Sequence, residues 1–236
     1  ALAQKPVRVL PAEAVAVIPA GAARPPATKP ITFAALGSSL TDVVLNGRVL
    51  LLGLFNASSL AVGTGVLIWS PDFLQSEYGA SAGVAAYLTA GLAVAQLMGA
   101  PTGAAAAIRW GRMPVITGSM VAMSVVAALA AVVPGRVLVF VMVALVGFFS
   151  FAYFSPRFAM IPEVVARPEQ VGPASGLINL LGYGISMVAP WLFGLALDRG
   201  MGYLTGYLIL AAFGMAGAVG SLFFKAGAPS GGGRER

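Results

Sequence analysis

The chain contains no cysteine and no histidine, and only 9% of its 236 residues are Asp, Glu, Lys or Arg. Without cysteine there are no disulfides and no thiolate chemistry. Without histidine the commonest ligand for haem, chlorophyll-type pigments, copper and zinc is missing, so no metal and no redox cofactor is expected. A soluble domain carries about 25% charged residues. Here the charged residues are few, hydrophobic residues make up 58%, and the mean hydropathy is +0.90. Such a chain faces lipid. The net charge of +6 does not point to nucleic acid, because the Lys and Arg residues lie singly between apolar blocks and form no basic run. Nor is there a nucleophile paired with a base, a metal cluster or a phosphate loop; Gly231 to Gly233 lack the strand-turn-helix setting a phosphate site needs. An enzyme is not expected.

What the chain does have is six long apolar blocks, at about 49–69, 82–108, 113–133, 137–161, 171–197 and 203–224. Each is long enough to cross about 30 Å of hydrocarbon at about 1.5 Å per residue. The expectation is an all-α membrane protein of six transmembrane helices, one bundle over 48–225. Residues 1–30 hold six prolines among Ala and Val and read as an extended tail or linker. Residues 31–47 read as a short amphipathic segment at the interface, and the Gly-rich basic end 226–236 as a flexible tail. The chain opens Ala1-Leu2-Ala3-Gln4 without Met, which reads as a fragment or processed product.

Polar residues inside these blocks are the candidates for function, since each must be either helix-to-helix glue or cavity wall. In the first block Asn56, Ser59 and Gly63 form a stripe, and Trp69-Ser70-Pro71-Asp72 is expected to end the helix, followed by a short acidic loop to Glu77 and Gly79. In the second, Thr89, Gln96, Gly99 and Gly103 fall in register; Gly99 and Gly103 suit close packing, while Gln96 is a cavity candidate. The third block is almost purely aliphatic and is expected to face lipid. The fourth is the most aromatic and ends in Tyr153, Phe154, Ser155, Pro156 and Arg157, with Pro156 interrupting the helix. Arg157 has two readings: a snorkelling cation at headgroups or paired with Glu163, or a guanidinium at the inward mouth of a cavity that attracts an anion. In the fifth block Ser175, Asn179, Tyr183 and Ser186 share one helical face, while Leu180, Met187 and Trp191 point elsewhere.

Twelve of the fourteen Lys and Arg residues fall on one side of a six-span arrangement, the exceptions being Arg136 and Arg199; the other side has Asp72, Glu77 and Asp198. By the positive-inside bias both termini are expected to be cytoplasmic.

The run R-P-E-Q-x-G-x-A-S-G-L-x-N from Arg167 to Asn179, followed by Gly184, Pro190, Gly194 and Asp198, resembles the loop and eleventh helix of major facilitator superfamily (MFS) transporters. Arg109-Trp110-Gly111-Arg112 is similar to the D-R-x-G-R gating loop between the second and third helices of each MFS half, with Ile108 where the family has Asp. The resemblance covers about 31–225 and corresponds to the second half of such a transporter. It implies a multi-pass protein of a bacterial inner membrane, working with a complementary six-helix half or within a larger membrane complex. By family position the first, second, fourth and fifth spans reach the central cavity, which nominates Asn56, Gln96, Tyr153, Arg157, Asn179 and Tyr183 as binding a small solute. The gating loop is Arg109, Gly111 and Arg112. No Asp, Glu or His lies mid-span, so a proton relay would need a carboxylate from elsewhere. The rival expectation is a non-transporting scaffold or assembly subunit that reuses the bundle.

Overall fold

The computed structural model describes residues 41–224. The Pro-rich tail, most of the interfacial segment and the Gly-rich tail lie outside the described residues, as does the side chain of Thr89. Among the described residues there are six helices or helix pairs apolar and long enough to cross a membrane. Span 1 is α1 (Gly47–Tyr78), span 2 is α2 (Ala82–Trp110) and span 3 is α3 (Arg112–Ala130). Span 4 is α4 (Arg136–Ala152) continued by α5 (Phe154–Val164). Span 5 is a 3-10 turn (Pro168–Gln170) leading to α6 (Val171–Ser186) and α7 (Val188–Asp198); span 6 is α8 (Gly202–Leu222).

α1 starts because Asn46 caps it, its side-chain oxygen accepting from the Arg48 and Val49 amides at 3.0 and 3.4 Å. It stops at Gly79, whose left-handed φ of 58° lets the Gly79 and Ala80 amides reach back to the Gln75 and Leu74 carbonyls. The expected stop at Trp69 to Asp72 does not occur. Pro71 removes the donor for the Leu67 carbonyl, yet the helix runs on for two turns with Asp72 and Glu77 inside it. Tertiary contacts hold that extension: Ser70 and Tyr207 share a hydroxyl hydrogen bond at 2.9 Å, Tyr203 donates to Asp72, and the Phe73 ring packs on Tyr78, Tyr203 and Tyr207. The acidic loop therefore shrinks to a turn at Gly79.

α1 is also the hub. It pairs along its length with α6 and α8, while α2 pairs with α4, and α3 lies between α4 and α8. Small residues allow these approaches. A Cβ on Gly103 would sit 1.9 Å from the Ala152 carbonyl oxygen and one on Gly99 2.2 Å from that of Phe148, so α2 and α4 touch backbone to backbone. α3 faces lipid on one side only: Val121, Val125 and Leu129 are exposed and the opposite face is buried. Ile116, Met120, Met123 and Ala127 are fully buried, Thr117 and Ser221 bond through their hydroxyls at 2.6 Å, and Gly214 of α8 is seated on Ser124. In a membrane a Met or Ala is equally at home against lipid or another helix, so hydropathy cannot tell the two apart.

Two spans are interrupted, each three residues before a proline, at residues that keep helical dihedrals. Pro156 deprives the Ala152 carbonyl of its donor and the break falls at Tyr153; Pro190 does the same to Ser186 and the break falls at Met187. Cross-bonds define the two ends of the bundle. At one end Arg112 bonds Glu163, Arg167 bonds Asp42 at 2.7 Å, and the Asn46 amide donates to the Val164 carbonyl at 2.7 Å. At the other, Tyr78 donates to Val133 at 2.8 Å, Arg136 donates to the Tyr78 carbonyl, and Trp69 donates to Pro190 at 3.0 Å.

Candidate functional site

Arg157, in the first turn of α5, lies on the face of that helix that turns into the bundle. Its backbone amide still bonds the Tyr153 carbonyl at 3.3 Å, which fixes the two side chains one turn apart on one face. Arg157 is 0% exposed and Tyr153 is 1% exposed. Among the described residues none of the three guanidinium nitrogens has a hydrogen-bond partner, and neither has the Tyr153 hydroxyl. The guanidinium is instead boxed by rings: its carbon lies 4.2 Å from the Phe158 centroid, 5.1 Å from Phe154 and 5.8 Å from Tyr153. A buried cation normally has a counter-ion or a full set of acceptors, because removing it from water costs several kcal/mol. Here the aromatic faces supply part of that stabilisation and no acceptor supplies the rest.

Two expectations for Arg157 are corrected. It does not pair with Glu163, whose carboxylate is taken by Arg112; Arg112 also donates to the Ala159 carbonyl at 3.1 Å. It does not line an open inward mouth either. A cavity of about 320 Å³ does lie at that end, but its wall is Ala104, Ala107, Ile108, Arg112, Ser155, Pro156 and Ala159. Arg157 is on the buried side of the same helix.

The other nominated residues divide. Asn56 is buried, and its amide donates to the Ile178 carbonyl of α6 at 3.2 Å through a gap left by Gly182, where a Cβ would stand 2.0 Å from the amide nitrogen. Gln96 is half-buried on the seam between α2 and α4, against Gly147. Asn179 is half-buried and Tyr183 is 62% exposed. The polar face expected on span 5 thus splits: Ser175 and Ser186 bond their own helix at the Val171 and Tyr183 carbonyls, leaving Asn179 and Tyr183 on the open side. Arg157 and Tyr153 come together; Tyr183 stands on the open side of α6, and Asn56 and Gln96 sit in separate seams.

In the loop expected to gate, Gly111 with φ of 88° is the single link between α2 and α3. Arg109 lies over the Trp110 ring at 5.8 Å, and Arg112 is the clamp to α5. Ile108 is 89% exposed. Sequence reasoning missed Glu163 as the clamp's acid and Phe154 and Phe158 as walls. Phe154 was findable, since positions 153 and 154 stand four and three residues before Arg157 and so share its face; Phe158, adjacent in sequence, carries no such signal.

No curated protein matches the chain. The sequence profile described as Major Facilitator Superfamily matches residues 30–235. With that match spanning nearly the whole length, and six apolar spans packed as one bundle, the chain belongs to the major facilitator superfamily, a family of transporter-type membrane proteins.

Proposed function

We propose that the chain forms one six-helix half of a secondary transporter and moves a small organic anion across the membrane by alternating access with a second six-helix half. The observation that carries this reading is Arg157, a guanidinium enclosed among helices with no counter-ion and no hydrogen-bond acceptor. An intramembrane cation in that state is expensive unless an anion visits it. Tyr153 is the neighbouring donor, Asn179 and Tyr183 present polar atoms on the open side of span 5, and Gln96 sits where span 2 would meet a partner half. Asn56 holds span 1 to span 5 behind them. The end of the bundle carrying Arg48, Arg109, Arg112 and Arg167 is the cytoplasmic one in this reading, with both termini inside a bacterial inner membrane.

In proteoliposomes, Arg157→Ala is expected to lower uptake of radiolabelled benzoate at least tenfold while Arg157→Lys retains part of it. Unchanged uptake kinetics in Arg157→Ala would remove the anion from the reading.

A second reading is favoured by Ile108, exposed where the family's loop carries Asp, and by α2, the least covered of the six spans. Both suit a bundle that serves as a scaffold in a larger membrane complex. Gentle purification separates the two: co-elution with one further six-helix bundle supports transport, and stoichiometric retention in a multi-subunit complex supports the scaffold.

A further inference from the structure

Among the described residues Arg157 is the only charged side chain that is buried. Its closest ring, Phe158 at 4.2 Å, is part of a ladder: Phe158 lies 4.5 Å from Phe154, and Phe154 stacks 5.4 Å from Phe151 at 15°. A ring face offsets positive charge but accepts none of the five guanidinium N–H bonds in the plane where they point. A carboxylate does both, taking two parallel hydrogen bonds from the guanidinium and leaving lone pairs free for the Tyr153 hydroxyl, which also has no partner. The ring is therefore the weaker of the two counter-groups, and a carboxylate that reached the guanidinium would displace it.

Resting on the anion reading above, we propose that Phe158 stands where a ligand would sit on Arg157, and that the ligand displacing it is a singly charged carboxylate with an apolar body. One charge follows from the surroundings. Arg112 is committed to Glu163 and Arg167 to Asp42; Arg48, Arg109, Arg136 and Arg199 are at exposed helix ends. Among the described residues Arg157 alone faces the site, so a dianion would leave one negative charge uncompensated in a low-dielectric interior. The apolar body follows from the walls, which are the rings of Phe154, Phe158 and Tyr153.

Thermal unfolding of the full chain purified in detergent, with benzoate, succinate or sulfate at equal ionic strength, tests this. Benzoate is expected to raise Tm saturably, and succinate and sulfate are not. Arg157→Gln abolishes the shift, with Arg157→Lys as the charged control for folding. Phe158→Ala removes the competing ring and tightens benzoate about tenfold, and Phe158→Leu, which keeps bulk without a ring face, tightens it as well. Succinate or sulfate matching benzoate overturns the single charge. Unchanged or weaker benzoate binding in both Phe158 variants overturns the placeholder. A shift that survives Arg157→Gln, or no shift with any anion, overturns the site. A benzoate shift that disappears once a second six-helix bundle is bound assigns the carboxylate to a side chain of that bundle and overturns a solute. These outcomes are read without transport: benzoate binding alongside uptake indifferent to Arg157→Ala would remove the anion from the transport reading and leave this site standing.

Discussion

At the scale of single residues, the two asparagines on adjoining helices have opposite settings. Asn56 is buried with a carbonyl partner, and Asn179 is half-buried on the open side. Hydrogen bonds between transmembrane helices contribute about 0.6 kcal/mol on average and rarely more than about 1.7. Asn56→Ala is therefore expected to destabilise the bundle by about 1 kcal/mol in detergent unfolding, slightly above that average because Gly182 leaves a void behind. Asn179→Ala should leave stability unchanged within about 0.5 kcal/mol; an equal loss in both would mean that Asn179 is also glue. The Arg112–Glu163 pair is 40% and 59% exposed, so its ion-pair value is small, about 0 to 1 kcal/mol. Glu163→Gln should accordingly show little change in Tm, and any effect on uptake would come from the relation between α3 and α5.

Helices and their junctions obey different limits. Gly103→Ala must push α2 off α4, because the new methyl would coincide with the Ala152 carbonyl; overpacking of this kind costs about 1–3 kcal/mol. Gly118→Ala, in the middle of α3 with nothing within 4 Å of the new Cβ, should instead stabilise by about 0.5–1 kcal/mol through helix propensity. Comparing the two variants by urea unfolding in micelles checks whether contact or composition governs these glycines; a stabilised Gly103→Ala would refute the close approach. Such contrasts mark what the sequence discloses. Span number and the interruption before Pro156 were legible, since one rests on length and the other on a missing N–H; the cap at Asn46 and the interruption at Met187 were not read. The extra turns of α1 beyond Pro71 were not, because Ser70, Asp72 and Phe73 gain their partners from α8, more than 130 residues away. The burial of α3 was hidden for the reason that Met and Ala look alike to lipid and to helix. Arg157 was visible as a lone cation, but its cage was not, since Phe158 adjoins it in sequence and only the packing brings that ring over the guanidinium.

For the whole molecule, the absence of cysteine makes topology directly measurable. Ala166→Cys and Ser81→Cys occupy exposed positions at opposite ends of the bundle. A membrane-impermeant maleimide added to intact cells should label position 81 and leave position 166 untouched until the membrane is opened; the reverse pattern would invert the orientation. The bundle also combines rods of unequal reach. α1 has 32 residues and α3 only 19, about 48 Å and 28 Å at about 1.5 Å per residue, set against about 30 Å of hydrocarbon. The long rod therefore stands clear of the acyl chains at its Tyr78 end, while the short one barely spans them. Thickening the bilayer would leave α1 immersed and drag the ends of α3 below the headgroups, so lipid chain length should bear on this protein through its third helix.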